Sequence, residues 1–375
     1  MLAVGTLGLA ACGTNNNSTT AATTAATTSG SSTSGSSPSA SAASAGAIQC
    51  NGASGTLNAS GSTAQANAMS QWEKDFQTAC PGTTVNYTGG GSGKGVTDFT
   101  AGTTDFAGSD FALSPTQKSA ADKRCGTGNQ AIDLPMVPGP IAVGYNLPGV
   151  SNLNLSAATL AKIFDGSVTK WDDATIKADN PGVTLPSTGI QTFHRSDGSG
   201  TTFNFTNYLQ NDAPSAWTFG HDKTWKAPGG QGSKGTAGIA QGVKSTPGGI
   251  GYMELSFAKN SNIPYAKVGN AQGKFVELTT PNVVNFLSKA TVTGKGDDLA
   301  LTFDYANPDT NAYPAVLVTY EIVCQKGTSA AKLPTLKSFM GYLAGSGQDL
   351  LEQNNYVKLP ANINAKVVTA VGSMS

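Results

Sequence analysis

Residues 194–203 combine an arginine, hydroxyl side chains and two glycines in the order His-Arg-Ser-Asp-Gly-Ser-Gly-Thr-Thr-Phe. Residues 189–193 before them have the pattern of a strand, and apolar residues at helical spacing follow at Phe205, Tyr208 and Leu209. The segment is therefore predicted to join a strand to a helix N-terminus. The first amides of a helix lack partners inside it, and the helix dipole makes that end positive. An anion there can bind free N–H groups, hydroxyls and a guanidinium at once.

Three other loops place glycine with serine or aspartate at the ends of strand-like runs. Residues 61–64 (Gly-Ser-Thr-Ala) and 89–93 (Gly-Gly-Gly-Ser-Gly) each precede a helix-like segment, and residues 108–110 (Gly-Ser-Asp) end a short strand. Ser62 with Gln65 three residues later predicts a capping box. A single Gly-Ser turn is most often only a helix cap. Three such strand–helix loops and a carboxylate at a further strand end together indicate an oxyanion site.

The elements that must carry these loops alternate between strand and helix over residues 54–142, which favours an α/β arrangement with a mainly parallel sheet. An apolar run at 131–137 is interrupted by Pro-Gly-Pro at 138–140 and resumes at 141–146, which predicts a strand, a hinge and a second strand. The strand-like run 313–323 is expected to cross back to the first domain. The length of the chain fits two domains.

The charge and composition of the chain argue against a nucleic-acid partner. The 23 basic and 23 acidic residues give a net charge of zero, and only 12% of residues are charged, well below the ~25% typical of globular domains. The sequence has no basic stripe, so nucleic-acid binding is not expected.

The N-terminus resembles a bacterial lipoprotein signal that ends in Leu9-Ala10-Ala11-Cys12. Residues 1–11 are predicted to be the signal segment and Cys12 the lipidated residue, although no basic region precedes the apolar stretch. The alternative is an ordinary secretory signal in which Cys12 is incidental. Residues 13–49 carry no charge and consist almost entirely of small and polar residues, so 12–49 are predicted to be the anchor and a disordered tether.

Four further cysteines follow the tether, at Cys50, Cys80, Cys125 and Cys324. An even number in an exported chain predicts two disulfides, for which three pairings are possible. A metal site is disfavoured, because no two of these cysteines have metal-motif spacing and the only histidines are His194 and His221.

Six motifs, taken in order, resemble the phosphate-binding proteins of bacterial phosphate-specific ABC transporters over about residues 50–365. They lie at 61–63, 89–93, 108–110, 170–173, 195–201 and 249–252. The resemblance implies an α/β, two-lobed periplasmic-binding-protein fold of type II, a Venus flytrap with a hinge of two crossover strands. Lobe I would comprise 50–141 and 315–375, and lobe II would comprise 142–314.

The resemblance also implies which residues hold phosphate. The expected ligand-binding residues are Thr63, Ala64, Ser92, Asp110, Arg195, Ser199, Gly200 and Thr201, with Ser62 and Asp197 in support. Asp110 would repel a dianion unless the ligand brings a proton, which hydrogen phosphate has and sulfate lacks. The alternatives are a solvated or capping Asp110 and an Arg195 that serves only in a salt bridge.

The expected function is an inorganic-phosphate receptor at the outer face of the cytoplasmic membrane, anchored through Cys12, that delivers its ligand to ABC permease subunits. It is expected to be a monomer, with no catalytic residues, cofactor or metal. One alternative is a phosphatase or serine hydrolase, although no Gly-x-Ser-x-Gly elbow is present. The others are a nucleotide-binding domain, for which the phosphate-loop motif is missing, and a receptor for another oxyanion such as sulfate.

Overall fold

The computed structural model describes residues 47–375, which contain α-helices, β-strands and one short 3-10 helix at Ser346–Gln348. The strands are β1 (Gly55–Gly61), β2 (Thr83–Gly89), β3 (Phe106–Ser109), β4 (Ala131–Tyr145), β5 (Asn154–Leu155), β6 (Gln191–Arg195), β7 (Gln231–Ser233), β8 (Gly249–Glu254), β9 (Lys267–Gly269), β10 (Phe275–Val276), β11 (Thr291–Val292), β12 (Leu301–Thr302) and β13 (Val316–Cys324). The helices are α1 (Ala66–Ala79), α2 (Ser92–Thr100), α3 (Pro115–Cys125), α4 (Ala157–Phe164), α5 (Ala174–Asp179), α6 (Gly200–Asp212), α7 (Gly235–Ser245), α8 (Leu255–Asn260), α9 (Thr280–Leu287), α10 (Leu333–Ala344), α11 (Asp349–Gln353) and α12 (Ala361–Ser373).

Eight strands form one sheet in the order β2-β1-β3-β13-β4-β8-β6-β7. The β1 pairs with β2 and β3 are parallel, as are the β6 pairs with β7 and β8, whereas β13 and β4 run antiparallel to their neighbours. The carboxyl ends of the parallel strands carry the loops that the sequence singled out, because each strand turns there into a helix. The predicted alternation of strands and helices is confirmed.

The strand β4 differs from the prediction of two strands separated by a hinge. It is one continuous strand of 15 residues that are all buried. Its first part pairs with β13 up to Pro140, and Ile141–Tyr145 pair with β8 instead. The Pro-Gly-Pro sequence therefore marks the exchange of partners rather than a break, since proline cannot donate a ladder hydrogen bond but still fits extended backbone.

Two large hydrophobic clusters lie on either side of the point where β4 changes its partner strand from β13 to β8. One packs aromatic residues of α6, β8 and the Trp171 segment, where the Phe205 and Tyr252 rings stack with centroids 4.4 Å apart. The other joins α1 to α10, and there Phe76 meets Phe339 edge to face at 5.1 Å. The positions at helical spacing in the sequence are thus the ones that build the cores.

Both predicted disulfides are present, and the structure selects one of the three possible pairings. Cys50 is bonded to Cys80 just after α1, and Cys125 at the end of α3 is bonded to Cys324 at the end of β13. Cys12 and the predicted signal and most of the tether lie outside the described residues. Among the helices of residues 47–375, none is long and apolar enough to cross a membrane.

Candidate functional site

Arg195 is the last residue of β6, and only 2% of its surface is exposed. Its Nε donates to Asp197 Oδ1 over 2.7 Å, and its Nη2 donates to Asp197 Oδ2. Burial would raise the pKa of Asp197, but the hydrogen bonds and charge of Arg195 outweigh it and hold that pKa below its usual value. The salt bridge predicted as an alternative role for Arg195 therefore exists. It still leaves N–H groups of the guanidinium for another acceptor, because arginine has five.

The helix α6 begins directly after this pair. Ser199 is its N-cap, and its Oγ accepts from the Thr202 N–H over 3.1 Å. The next residue, Gly200, donates its N–H to Ser92 Oγ over 3.2 Å. Thr201 is 1% exposed, and its hydroxyl has no hydrogen-bond partner within residues 47–375. An unsatisfied hydroxyl at a positive helix end is suited to donate to an anion.

Ser92 opens α2 and joins two of the other predicted loops. Its Oγ accepts from the N–H groups of Asp110, over 3.0 Å, and of Gly200. A serine hydroxyl has two lone pairs and one proton. Both lone pairs are used here, so the proton is left to donate to another group.

Asp110 follows β3 and is 3% exposed. Its Oδ1 accepts from Thr319 Oγ1 over 2.7 Å, and its carbonyl accepts from Asn204 Nδ2 over 2.6 Å. Burial raises the pKa of Asp110, while the hydroxyls around it and the positive charge of Arg195 oppose that rise. The alternative of a solvated strand-end aspartate is excluded by this burial.

The first glycine-serine loop contributes Thr63, whose Oγ1 lies 2.9 Å from Thr236 Oγ1. The predicted capping box of Ser62 with Gln65 is wrong. Ser62 Oγ accepts from the Ala64 N–H over 3.0 Å, and α1 begins only at Ala66, without a side-chain cap. The loop turns on itself first, so the Ser62 oxygen is already bonded when the helix starts.

Thr236 was not predicted from the sequence, although it links two predicted residues. It is 1% exposed at the start of α7, its N–H donates to Thr63 Oγ1 over 3.0 Å, and its Oγ1 accepts from Arg195 Nη1 over 3.4 Å. The glycine-rich residues 229–235 before it were the available signal, because they form another loop that leads into a helix. Thr319, in the middle of an apolar strand, offers no such signal.

The predicted residues thus fall into two connected groups. Ser92, Asp110 and Gly200 are joined by hydrogen bonds, and Thr63 is joined through Thr236 to Arg195. The two groups approach each other where the Gly93 N–H donates to the Gly198 carbonyl over 2.9 Å. Hydroxyls, a buried guanidinium and a helix N-terminus provide donors, and Asp110 provides an acceptor.

The two histidines are engaged elsewhere. The His194 ring stacks on Trp225 with centroids 5.0 Å apart, and its Nδ1 lies 3.0 Å from the Arg195 carbonyl. His221 Nδ1 lies 2.7 Å from Gln210 Oε1. In the described part of the chain neither ring is hydrogen-bonded to a serine, and no group of three potential ligands could hold a metal ion.

The chain is similar to known proteins. Residues 14–346 match a family described as a PBP superfamily domain. The phosphate-binding protein PstS 3 of Mycobacterium tuberculosis is 42% identical over 378 residues, which cover 100% of this chain and 97% of that protein. The phosphate-binding protein PstS of Xylella fastidiosa is 34% identical over 301 residues, 79% of each chain.

Solved structures share the fold. A high-affinity periplasmic phosphate-binding protein, PfluDING, with bound phosphate superimposes with a TM-score of 0.67 at 22% identity, over 84% of this chain and 93% of that one. A phosphate-binding protein from Stenotrophomonas maltophilia gives a TM-score of 0.64 at 17% identity, with the same coverage. The predicted α/β, two-lobed periplasmic-binding-protein fold is confirmed, and β4 and β13 are its crossover strands.

Proposed function

Because the chain belongs to the family of PstS phosphate-binding proteins within the PBP superfamily, we propose that it is an extracytoplasmic receptor for inorganic phosphate. It holds hydrogen phosphate in the cleft between two lobes and delivers it to the permease subunits of an ABC importer, with no covalent chemistry. The observation that carries the proposal is the buried carboxylate of Asp110 among groups that otherwise donate, Ser92 and Arg195 among them.

The donors have distinct roles in this proposal. Arg195, fixed by Asp197, supplies the positive charge. Thr63 and Ser92 supply hydroxyls, and so do Ser199 and Thr201 at the start of α6. The N–H groups of Ala64 and Gly200, also expected to bind the ligand, donate here to Ser62 Oγ and Ser92 Oγ, so they would contact the ligand by sharing these protons. The free hydroxyl of Thr201 and the remaining proton of Ser92 support these roles. Thr236 is added to the set because it bridges Thr63 and Arg195.

Asp110 gives the site its selectivity. An ionised carboxylate can only accept hydrogen bonds, so it needs a ligand with a proton. Hydrogen phosphate has one, whereas sulfate would set acceptor against acceptor in a closed site. A buried polar group without a partner costs about 1–3 kcal/mol, and more when it is charged. A receptor for sulfate is therefore disfavoured.

The lobes are proposed to comprise 50–141 with 315–375, and 142–314. They close on the ligand by a hinge motion in β4 and β13, as two-lobed binding proteins do. The protein acts as a monomer that Cys12 anchors by lipid to the outer face of the cytoplasmic membrane. The Leu9-Ala10-Ala11-Cys12 sequence supports the anchor.

Calorimetric titration of the protein, stripped of bound ligand, with phosphate and then with sulfate tests the function. We expect tight one-to-one binding of phosphate and no heat from sulfate. Comparable binding of both anions would leave a receptor without the proposed selectivity, and a folded protein that binds neither would refute the proposal. An assay with a generic phosphomonoester separates the enzyme alternative, and we expect no hydrolysis above background.

A further inference from the structure

Thr319 lies directly across from Asp110 in the sheet. In the antiparallel pair of β13 and β3, Tyr320 is opposite Ser109 and Glu321 is opposite Gly108. Thr319, the residue before Tyr320, is therefore level with Asp110, the residue after Ser109. Thr319 is fully buried, and its Oγ1 donates to Asp110 Oδ1 over 2.7 Å. The contact joins a crossover strand to the proposed ligand site.

The position of Thr319 is fixed by an irregularity in the sheet. Along the β13–β4 pair, Thr319 is opposite Val137, but Tyr320 is opposite Pro135, so Met136 is an extra residue on β4. Such bulges bend a strand locally and change the direction of side chains, and they are common next to functional sites. Thr319 stands at the step in register.

The two oxygens of Asp110 then face different neighbours. Oδ1 is taken by Thr319, whereas Oδ2 points toward the first residue of α6: a methyl group built on Gly200 would lie 2.8 Å from it. The start of α6 is where the ligand is proposed to sit. The donor on Oδ1 therefore leaves Oδ2 as the oxygen that faces the ligand.

Other titratable groups also act on Asp110. Arg195 on β6 favours its ionised form. Glu321 on β13, Glu254 on β8 and Tyr87 on β2 are buried groups whose interaction with Asp110 is repulsive when they are charged, and burial raises the pKa of each. Burial also raises the pKa of Asp110, and the hydroxyls of Ser62 and then of Thr319 oppose that rise.

We propose that Thr319 is a positioning residue for anion selectivity: its hydroxyl holds Asp110 ionised and turned so that one carboxylate oxygen accepts the proton of hydrogen phosphate. This inference rests on the proposed function and names a further residue for it. Without that hydroxyl, Asp110 binds a proton more readily. A protonated Asp110 donates a hydrogen bond, and the site then accepts sulfate.

The test measures binding of phosphate and of sulfate by the full chain as Thr319→Val and Thr319→Ser, between pH 5 and 8.5. Valine keeps the shape and removes the donor. We expect the ratio of phosphate to sulfate affinity at pH 7.5 to fall about tenfold or more in Thr319→Val. As the pH is lowered, sulfate binding should begin at a higher pH than in the wild type, because the pKa of Asp110 is higher. Thr319→Ser keeps the hydroxyl, so it should have the wild-type affinity ratio and the wild-type pH dependence of sulfate binding.

Thr335→Val is the matched control, since Thr335 is also a buried threonine whose Oγ1 donates to a carbonyl, that of Ser54, over 2.6 Å. It should leave the affinity ratio and its pH dependence unchanged. If Thr319→Val does not fold, Thr319→Ala in the same titrations decides, because it removes the same donor with a smaller side chain.

Tight phosphate binding by the wild type with an unchanged ratio in Thr319→Val or Thr319→Ala would overturn the inference and leave the proposed function intact. A serine variant that behaves like the valine variant would also overturn it, because the hydroxyl would then not be the cause. A wild-type protein that does not bind phosphate would overturn the proposed function and the inference with it.

Discussion

At the scale of single residues, the proposed selectivity depends on what Asp110 can accept. Its carboxylate is buried and has a raised pKa, yet it stands beside Arg195 and three hydroxyl-bearing residues that favour the ionised form. Replacing it with asparagine keeps the shape and removes the charge, and it supplies an N–H group that can donate to sulfate.

We predict that Asp110→Asn binds phosphate only partly more weakly, by about 1–3 kcal/mol, but binds sulfate measurably. The amide oxygen can still accept the ligand's proton. The loss of the carboxylate charge removes the repulsion of a dianion, and the amide nitrogen can donate to it. Competition of sulfate against phosphate, followed by calorimetry, measures this. Unchanged discrimination between the two anions would contradict the role given to Asp110.

Asp212, at the C-terminal end of α6, is another carboxylate with a raised pKa, and its side chain is half-buried. Both its oxygens lack hydrogen-bond partners in the described part of the chain, and burial raises its pKa to about 7. The folded protein therefore binds one more proton than the unfolded chain between the ordinary pKa of aspartate and about pH 7. The stability that this residue contributes is present at low pH and is lost as the pH rises to about 7.

We predict that Asp212→Asn removes this loss. As the pH is lowered from 7 toward 4, the free energy of unfolding of the wild type should rise relative to that of the variant. The rise should be up to about 1.4 kcal/mol for each pH unit. Urea unfolding at several pH values measures the difference. Glu277→Gln, at an exposed residue, serves as the control and should keep the wild-type slope. Parallel curves for Asp212→Asn and the wild type would contradict the prediction.

At the scale of elements, the close approach of α6 to two other loops depends on Gly200. A methyl group built there would press on Asp110 Cβ and lie 2.6 Å from Ser92 Oγ. The φ angle of Gly200 is not among the positive ones. Alanine is therefore disfavoured there by steric clashes with neighbouring atoms and not by the backbone conformation.

We predict that Gly200→Ala reduces phosphate affinity at least about tenfold, since the added methyl separates the start of α6 from Ser92 and Asp110. Gly341→Ala in α10 is the control, because nothing lies within 4 Å of a methyl group there. That change should leave binding intact and stabilise the fold by about 0.5–1 kcal/mol, as alanine does in helices. Isothermal titration and thermal unfolding of both variants provide the measurements. Wild-type affinity in Gly200→Ala would show that the loops can separate without loss of the site.

The sequence predicted the elements whose signals are local. Glycine and serine at strand ends located the loops of Ser92, Asp110 and Arg195. Thr319 could not be predicted, because it reaches the site from an apolar strand that is distant in sequence. Thr236 was missed, although the glycine-rich loop before it offered a signal. The predicted capping box at Ser62 was wrong because the same sequence also allows a competing local hydrogen bond. In the structure the Ala64 N–H donates to Ser62 Oγ.

At the scale of the whole molecule, the two disulfides close chain segments of very different length. Cys50 and Cys80 are 30 residues apart, and Cys125 and Cys324 are 199 apart. The two segments do not overlap, so each bond restricts the unfolded chain independently. A longer closed segment removes more entropy from the unfolded state.

We predict that replacing Cys125 and Cys324 together with serine lowers the free energy of unfolding by about 1.7 kcal/mol more than the same change at Cys50 and Cys80, according to the chain-entropy relation. Denaturant unfolding of the two double variants measures this. Alkylation without reductant, followed by mass spectrometry, should find no free thiol at these positions in the wild type. An equal or larger loss from the Cys50–Cys80 variant would contradict the prediction.

The place of β13 in the sheet also sets the order in which the molecule can be completed. It lies between β3 and β4, although it is made long after both. In a chain that emerges from its N-terminus, β3 and β4 precede β13, and until β13 arrives each of them lacks a neighbour and exposes an unpaired edge. The half of the site that contains Asp110 is therefore finished last, when Thr319 arrives, after the strand and helix that carry Arg195 have already been made.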